Sequence, residues 1–237
     1  MGETEKEDIV RKGYDKRAEE YHASRHVYDN RKEMKEFADF LPQNGKVLDA
    51  GCGAGVPVAE FLAESGFDVT GIDFSENMLK LARKNVPKAR FIRKDMTKLD
   101  FEDDSFDGLT AFYSIIHVPR EKHPGLFRSF HRALKPEGVM LVCMGPDEWE
   151  AVDEYHGTTM FWSHYSPEKS LQIVKAAGFQ IIFDKILRIG GEKHYWIMAR
   201  NRKRSQCSHT HTHAQTRRLT PILSEVTKIQ KNHRIKR

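Results

Sequence analysis

The sequence predicts an α/β protein with a mostly parallel, doubly wound sheet and helices on both faces. Between Lys46 and Leu134, short apolar and β-branched runs alternate with amphipathic stretches, which is typical of βαβ units. Residues 179–200 then contain two strand-like runs joined by a Gly-Gly turn, with no helix between them. Such a hairpin reverses the chain, so one strand is expected to be antiparallel. A chain of 237 residues is long enough for one well-packed domain.

The strands and helices are predicted in order from their hydrophobic periodicity. Two amphipathic helices, at residues 7–24 and 30–41, are expected to cover the sheet's edge or to form a lid. The predicted strands are KVLDA, FDVTGID, ARFIRKD, FDGLTAFYS and GVMLVCM, followed by the hairpin. One helix begins after Ser75 as N-cap. The next, LFRSFHRALKPEG, is expected to end at its Pro-Glu-Gly turn, and the last begins after Ser166 and ends at Gly178.

The charge distribution separates a mildly acidic body from a basic tail. The whole chain carries a net charge of +5, but residues 201–237 hold ten Lys/Arg residues against the single acid Glu225. This tail is poor in large apolar residues, so we expect it to be disordered. Its HTHTH segment is interpreted as solvated, and no metal site is predicted. The expected organisation is N-terminal helices at 1–45, a catalytic domain at 46–200 and a basic tail at 201–237.

The cysteine content and the hydropathy indicate where the protein works. Three scattered cysteines are too few for a disulfide framework or a zinc cluster, which suits a reducing compartment. No apolar run approaches the roughly 18–20 residues that span a bilayer, and the N-terminus lacks the apolar core of a signal peptide. We therefore expect a cytoplasmic protein without a membrane span.

A glycine-rich turn follows the first predicted strand in the stretch KVLDAGCGAGVPVAEFL. The spacing is Asp49-x-Gly51-x-Gly53-x-Gly55, which differs from the G-x-G-x-x-G of dinucleotide-binding proteins. The charge of Asp49 would repel a pyrophosphate at the following helix N-terminus. S-adenosylmethionine (SAM) has no phosphate and carries an ammonium and a sulfonium beside an adenosine. The acidic turn, with glycines that permit close backbone approach, therefore predicts SAM as the ligand.

The ends of the next two strands support the same ligand. Asp73 ends the second strand about 20 residues after the glycines, where a carboxylate can accept two hydrogen bonds from a ribose diol. Asp95 follows the third strand and could accept from an adenine amino group. Met96 beside it could lie on the face of the ring.

Five sequence blocks together resemble the class I SAM-dependent methyltransferases, especially their small-molecule branch, sometimes called type 11. VLDAGCGAG, GIDFSENML, FIRKDM, FDGLTAFYSIIHV and FHRALKPEGVMLV occur in that family's order and at its separations. The resemblance implies a Rossmann-like seven-stranded sheet of order 3-2-1-4-5-7-6 with strand 7 antiparallel. It also implies methyl transfer to a small-molecule acceptor by in-line displacement.

The resemblance also implies which residues hold the cofactor. GYDKRAEEYHASR looks like the family's N-terminal helix and places Tyr14 and Tyr21 on one face, where they close over the cofactor or alternatively anchor the helix to the core. Cys52 lies inside the turn as a small packing residue. The implied cofactor contacts are Tyr14, Tyr21, Asp49, Ala50, Gly51, Cys52, Gly53, Asp73, Phe74, Met78, Asp95, Met96, Phe112 and Tyr113.

An aromatic segment, EYHGTTMFWSHYSPEK, lies where this fold builds its substrate wall. Its candidate substrate-binding residues are Tyr155, Met160, Phe161, Trp162 and Tyr165. The candidate bases are His117, His164 and His194; alternatively, these histidines are hydrogen-bonded structural groups and Phe161 and Trp162 are core. A thiolate or tertiary amine acceptor would need no base, so a missing base is not evidence against catalysis.

Two other functions were weighed against a small-molecule methyltransferase. An RNA or protein methyltransferase would use the basic tail, but the fourth strand ends in AFYSII rather than in the Asn/Asp-Pro-Pro-aromatic sequence of amino-directed nucleic-acid enzymes. The acidic body also presents no electrostatic footprint for nucleic acid. A protein that binds SAM without catalysis stays open at this point, as does the identity of the acceptor atom.

Overall fold

The computed structural model describes residues 2–25, 28–155 and 157–203, without the side chains of residues 3 and 4. The helices are α1 (Glu3–Ser24), α2 (Arg31–Ala38), α3 (Val58–Glu64), α4 (Glu76–Asn85), α5 (His123–Ala133) and α6 (Pro167–Ala176). The strands are β1 (Lys46–Ala50), β2 (Asp68–Asp73), β3 (Arg90–Arg93), β4 (Phe106–Ala111), β5 (Leu134–Met144), β6 (Trp149–Tyr155), β7 (Thr158–His164), β8 (Phe179–Ile189) and β9 (Glu192–Asn201).

Seven of the strands form one mixed sheet in the order β3-β2-β1-β4-β5-β9-β8. Strands β1 to β5 pair in parallel, and β9 runs antiparallel to both β5 and β8. The predicted Rossmann-like α/β class is therefore confirmed. The predicted order 3-2-1-4-5-7-6 agrees only in part with the observed numbering. Two further strands, β6 and β7, precede the terminal hairpin and form a sheet of their own, so the hairpin strands are β8 and β9.

Helices cover both faces of the large sheet. On β1 the side chain of Val47 points to one face and that of Leu48 to the other, as the period of a strand requires. Leu48 packs in the cluster that includes α5 and α6, and Val47 packs in the cluster that includes α2, α3 and α4. Parallel strands covered on both faces read as nearly continuous apolar runs, which is why the sequence located them.

The N-terminal helix α1 packs against β7 and α4 rather than against the large sheet. Val10 joins Met160 and Phe161 of β7 in a small apolar cluster. A Cβ atom at Gly13 would collide with Sδ of Met160, so glycine at this position allows the helix and the strand to approach closely. The helix changes direction at Arg17, whose backbone is not helical. Contacts with the start of α4 lie on both sides of this change of direction, through the hydrogen bonds of Asp15 and the packing of Ala18 beside Met78.

The predicted element boundaries hold at most positions and fail at two. Ser75 Oγ accepts a hydrogen bond from Met78 N, as expected of an N-cap, and the hairpin of β8 and β9 turns at Gly190 and Gly191. The helix predicted to run to a Pro-Glu-Gly turn ends at Ala133 instead, because residues 134–138 already belong to β5 and pair irregularly with β4. The second difference is the hairpin of β6 and β7, where the sequence predicts only an aromatic segment.

The predicted basic tail falls on residues 201–237, and all of it beyond residue 203 lies outside the described residues, as does its HTHTH segment. Among the residues that the structure describes, none of the helices combines the length and the apolar character needed to cross a membrane. The same part of the chain contains no cluster of His, Cys, Asp or Glu side chains that could hold a metal ion.

Candidate active site

The glycine turn after β1 closes one side of a cavity at the carboxyl ends of the parallel strands. Gly51 and Gly53 have φ values of +77° and +51°, in the left-handed region that glycine adopts without strain. A Cβ atom at Gly51 would collide with Ser114 Cβ and lie 2.9 Å from Met96 Cε. The turn therefore meets the segments after β3 and β4 at one point, as expected where strand order reverses in an open α/β sheet.

The cavity has a volume of about 280 Å³ and collects most of the predicted cofactor residues. Predicted cofactor residues that line it are Tyr14, Tyr21, Gly51, Gly53, Asp73, Phe74, Met78, Asp95, Met96, Phe112 and Tyr113. The predicted cofactor residues Asp49 and Ala50, at the end of β1, and Cys52, a buried residue within the turn, do not line it. The candidate base His117 does line it, together with residues of the first turns of α1 that the sequence reasoning missed, such as Val10 and Arg11.

Asp73 holds the glycine turn in place by hydrogen bonds, and its carboxylate can accept further hydrogen bonds from a ligand. Its Oδ2 accepts a hydrogen bond from Gly53 N at 3.0 Å, and its Oδ1 accepts one from Ser75 N at 2.9 Å. Each carboxylate oxygen has a second lone pair, so two hydroxyl donors in the cavity can also be bound. Burial raises the pKa of Asp73 to about 6.

Asp49 is a buried carboxyl with one oxygen unpaired. Its Oδ1 accepts a hydrogen bond from Thr110 Oγ1 at 2.9 Å, whereas its Oδ2 has no hydrogen-bond partner in the described part of the chain. Burial, with a smaller contribution from the nearby charge of Asp73, raises the pKa of Asp49 to about 7. An uncompensated buried carboxylate is costly, so a cation placed nearby would stabilise its ionised form.

The segment after β3 forms the other end of the cavity. Asp95 Oδ1 accepts from the backbone N and the hydroxyl of Thr97, both at 2.8 Å, and Oδ2 lies 3.3 Å from Nζ of Lys98. The carboxylate therefore caps a short 3₁₀ helix at Met96–Lys98 and also faces the cavity. Phe74 and Met96 also line the cavity and add apolar surface, which suits a flat ring.

Arg25 is a candidate functional residue that the sequence reasoning missed. Its guanidinium lies over the rings of Tyr28 and Tyr113, at 4.8 and 4.5 Å from the centroids, and 5.4 Å from that of Tyr21. The residue is only 8% exposed, and no carboxylate among residues 2–25, 28–155 and 157–203 pairs with it. Its position four residues after Tyr21 on the same helix face was the available signal.

The three candidate bases occupy different environments. His117 lines the cavity and bonds through its two ring nitrogens to Tyr14 and to the Phe161 carbonyl. His164 lies outside the cavity, with Nδ1 at 2.6 Å from the carbonyl oxygen of Asp147. His194 packs edge-on against Tyr113 and also lies outside the cavity. Only His117 is therefore placed to reach a bound ligand.

The hairpin of β6 and β7 builds a second, smaller cavity of about 160 Å³ against α1. Tyr155 and Met160 line it, and so do Tyr14 and Tyr21, which also line the first cavity. The other predicted substrate residues do not line this cavity. Phe161 is buried in the core, and the Tyr165 ring packs against His123. The centroid of the Trp162 ring lies 4.5 Å from that of His117 and 5.3 Å from that of Tyr155.

The residues around the first cavity fit SAM by their chemistry. Asp73 offers paired acceptors for a ribose diol, and Phe74 and Met96 offer faces for an adenine. Two buried groups that do not line the cavity themselves lie close to its lining and carry opposite charges: Asp49 precedes the glycine turn and has an unpaired Oδ2, and the Arg25 guanidinium lies over the lining residues Tyr21 and Tyr113. A Cβ atom at Gly53 would meet no atom within 4 Å, so the backbone at this cavity-lining glycine is open to close approach.

Comparison with known proteins agrees with this assignment. A family described as "Methyltransferase domain" matches residues 47–138, from β1 into β5. Demethylmenaquinone methyltransferase of Lysinibacillus sphaericus is 34% identical over 138 residues, covering 56% of each chain. A sterol 24-C-methyltransferase of Gibberella zeae is 28% identical, covering 64% of this chain and 44% of its own. The chain spans about half the length of the curated relatives it matches.

A solved structure shows the same fold. The 1,6-didemethyltoxoflavin-N1-methyltransferase of Burkholderia thailandensis, with bound 1,6-didemethyltoxoflavin and S-adenosylhomocysteine (SAH), superposes with a TM-score of 0.69. The match has 18% sequence identity and covers 84% of this chain and 90% of that one. This structural match supports the fold. The family match to residues 47–138 and the curated relatives confirm the resemblance predicted from the sequence, and with it SAM as the cofactor of that domain.

Proposed function

Residues 47–138 form a methyltransferase domain of the class I SAM-dependent type, and from this premise we propose that the chain transfers a methyl group from SAM to a small-molecule acceptor by in-line displacement. The observation that carries the proposal is the pair of buried carboxyls at the glycine turn. Asp73 faces the cavity with free acceptor capacity, and Asp49 behind it has an unpaired oxygen. These two carboxyls, which accept hydrogen bonds and carry negative charge when ionised, suit a cationic nucleoside and disfavour a nucleotide.

Different residues of the chain would contact the ribose, the adenine ring and the adenine amino group of the cofactor. Asp73 would accept from the ribose hydroxyls, Phe74 and Met96 would contact the adenine, and Asp95 would lie beside its amino group. When bound, SAM supplies a methyl carbon already activated by its positively charged sulfur. The protein then contributes mainly by positioning the acceptor and excluding water, effects that supply roughly 7–11 kcal/mol in favourable cases.

The amino-acid end of the cofactor would lie between two opposite charges. The Asp49 carboxyl behind the turn would attract the ammonium, and Arg25 would pair with the carboxylate. Buried charges without partners are costly, so both residues gain a partner when the zwitterion binds. The cofactor would therefore be bound at both ends and held in one orientation.

The acceptor would bind on the side of α1 and the β6–β7 hairpin. Tyr14 and Tyr21 line both cavities, so a molecule in the second cavity lies next to the cofactor. Aromatic and thioether groups line that cavity together with the polar Arg17 and Glu20, a pattern that suits a small, partly apolar acceptor. The names of the relatives cover acceptors as different as a sterol and a demethylmenaquinone, so the acceptor must be identified by experiment.

Calorimetric titration with SAM and SAH tests the proposal. The wild-type protein should bind both saturably. Asp73→Ala should lower the affinity roughly 100-fold, since two hydrogen bonds to a charged acceptor are lost. Asp68→Ala is the matched control, because Asp68 lies exposed at the opposite end of the same strand. Absence of binding to the wild type, or equal affinities for the two variants, would contradict the proposal.

A further inference from the structure

A chain of hydrogen bonds joins α1, the 3₁₀ helix at Ile115–His117 and β7. The hydroxyl of Tyr14 lies 2.8 Å from Nε2 of His117, and Nδ1 of the same ring lies 2.7 Å from the carbonyl oxygen of Phe161. A carbonyl oxygen only accepts hydrogen bonds, so Nδ1 carries the proton. In the neutral imidazole Nε2 is then the acceptor, and Tyr14 donates to it.

The protonation states of the two side chains agree with this direction. Burial lowers the pKa of His117 to about 4, so the imidazole is neutral near pH 7. Burial raises the pKa of Tyr14 well above its ordinary value, so the phenol keeps its proton. The other titratable or charged groups that act on this pair are Tyr21, Arg25, Asp73, Tyr155 and His164.

This chain of hydrogen bonds ends where the two cavities meet. Both Tyr14 and His117 line the cofactor cavity, and Tyr14 also lines the cavity beside the β6–β7 hairpin. While it donates to His117, the Tyr14 oxygen keeps a lone pair that can accept a hydrogen bond. A hydroxyl group of a molecule in the second cavity can therefore contact an oxygen that is already linked to a base.

We propose that Tyr14 and His117 form a proton relay for an acceptor hydroxyl, so that the substrate class of this protein is an alcohol or a phenol. The inference rests on the proposed function, because the relay is needed only where a methyl group is transferred. A thiol ionises readily near neutral pH and a tertiary amine has no proton to lose, so neither needs a base. A hydroxyl keeps its proton at neutral pH and gains most from one.

The proposed step conserves atoms and charge. The acceptor oxygen bonds to the methyl carbon as the carbon–sulfur bond breaks, and the sulfur keeps that electron pair. The acceptor's proton passes to the Tyr14 oxygen, and the Tyr14 proton passes to Nε2 of His117. A positive charge leaves the sulfur and one appears on the imidazole, so the net charge of the site is unchanged. This balance offsets the cost of charging a buried histidine.

The first test follows the charge balance by NMR and needs no acceptor. The ring-nitrogen shifts of ¹⁵N-histidine-labelled full chain are recorded between pH 4 and 8 with SAM and then with SAH bound. His117 should show the Nδ1–H tautomer, and its pKa should be higher in the SAH complex by roughly one unit. His123 serves as internal control, since it is also buried, bonds to the Val118 carbonyl and lines neither cavity. Equal His117 pKa values in the two complexes overturn the relay.

The second test measures methyl transfer to 4-methylphenol and to thiophenol. Tyr14→Phe and His117→Gln should slow transfer to 4-methylphenol roughly 10²- to 10⁴-fold and leave transfer to thiophenol within about threefold. Tyr195→Phe, which removes a tyrosine hydrogen bond to Asp184 away from both cavities, should change neither. If the two variants lose transfer to both probes equally, Tyr14 and His117 have a structural role and the relay is overturned. If the wild type methylates thiophenol alone, or neither probe, the hydroxyl substrate class is overturned. SAM affinity in the same samples distinguishes these outcomes from failure of the proposed function.

Discussion

At the scale of single residues, two buried charges beside the cofactor cavity lack the partners that their chemistry requires. Oδ2 of Asp49 accepts no hydrogen bond from the described residues, and Arg25 contacts aromatic rings where an ion pair would be expected. Cation–π contact compensates the guanidinium only in part. A ligand with an ammonium and a carboxylate would supply both missing partners, which is why these positions favour the amino-acid end of SAM.

The role of Arg25 can be separated from that of the adenosine site. In Arg25→Met, the affinity for SAH should fall roughly 30-fold or more, since an ion pair with hydrogen bonds to a carboxylate is lost. The affinity for 5′-methylthioadenosine, which has no carboxylate, should not change. Both values can be measured by calorimetry. Arg31→Met is the control, because Arg31 is exposed and forms its ion pair with the neighbouring Asp29. Equal losses for the two ligands would contradict a carboxylate contact.

At the scale of elements, the position of α1 over the cavity depends on its bonds to the start of α4. Asp15 Oδ1 accepts from Ser75 Oγ at 2.6 Å, and its backbone carbonyl accepts from Asn77 Nδ2 at 2.9 Å. The carboxylate also lies at a helix N-terminus, where negative charge is favourable. Ser75 N in turn donates to Asp73, so the helix that covers the cavity is linked to the carboxylate proposed to hold the ribose.

Removing this link should weaken both folding and cofactor binding. Asp15→Ala should lower the free energy of unfolding by about 1–2 kcal/mol, a typical cost for losing a charged cap, and should reduce SAM affinity several-fold. Glu19→Ala is the matched control, since Glu19 is an exposed acid on the same helix. Thermal unfolding and calorimetry on both variants provide the measurements. SAM affinity that is unchanged in Asp15→Ala would show that α1 does not stabilise the bound cofactor.

The β6–β7 hairpin offers a test of the acceptor side. Trp162 packs against His117, which lines the first cavity, and against Tyr155, which lines the second. Trp162→Ala should reduce methyl transfer to 4-methylphenol at least about tenfold while SAM affinity stays within about twofold, because the lost area lies on the acceptor side. Trp149→Ala is the control, as Trp149 is 50% exposed on the neighbouring strand. A variant that loses SAM affinity and rate together would place Trp162 in the structural core.

At the scale of the whole molecule, the two raised carboxyl pKa values couple stability to pH. Asp49 and Asp73 titrate near 7 and 6 in the folded protein and near 3.9 when unfolded. Between about pH 4 and 7 the folded state therefore binds more protons than the unfolded state, so stability falls as the pH rises through this window. A bound cation favours the ionised carboxylates, so the stabilisation by SAM should increase over the same range.

Thermal midpoints at pH 5, 6, 7 and 8, with and without SAM, test this coupling. The cofactor-free wild type should lose stability between pH 5 and 7, and the increase caused by saturating SAM should grow with pH. Asp49→Asn should flatten the cofactor-free profile and raise the midpoint at pH 8 by several degrees, since a buried charge is removed. Asp68→Asn, an exposed acid on β2, should follow the wild type. Parallel profiles for wild type and Asp49→Asn would contradict the coupling.

The hairpin of β6 and β7 illustrates where sequence reasoning stops. Residues 149–155, WEAVDEY, lack alternation of buried and exposed side chains, and most of them are exposed in the structure. A strand without a buried face has no period for sequence analysis to detect. The strand at residues 134–138 was missed for a related reason, since Pro136 and Gly138 indicate a turn while the backbone pairs irregularly with β4.

The sequence by itself determined the fold class, the parallel strands, the terminal hairpin and the acidic glycine turn that indicates SAM. These features are encoded locally, in runs of neighbouring residues whose periodicity and spacing follow from strand and helix geometry. Only the tertiary structure decided which histidine faces the cofactor cavity, that Arg25 is buried among three tyrosines, and that Tyr14 bonds to His117. Tyr14 and His117 are separated by 103 positions, and such contacts depend on how α1 packs onto β7, which no local pattern specifies.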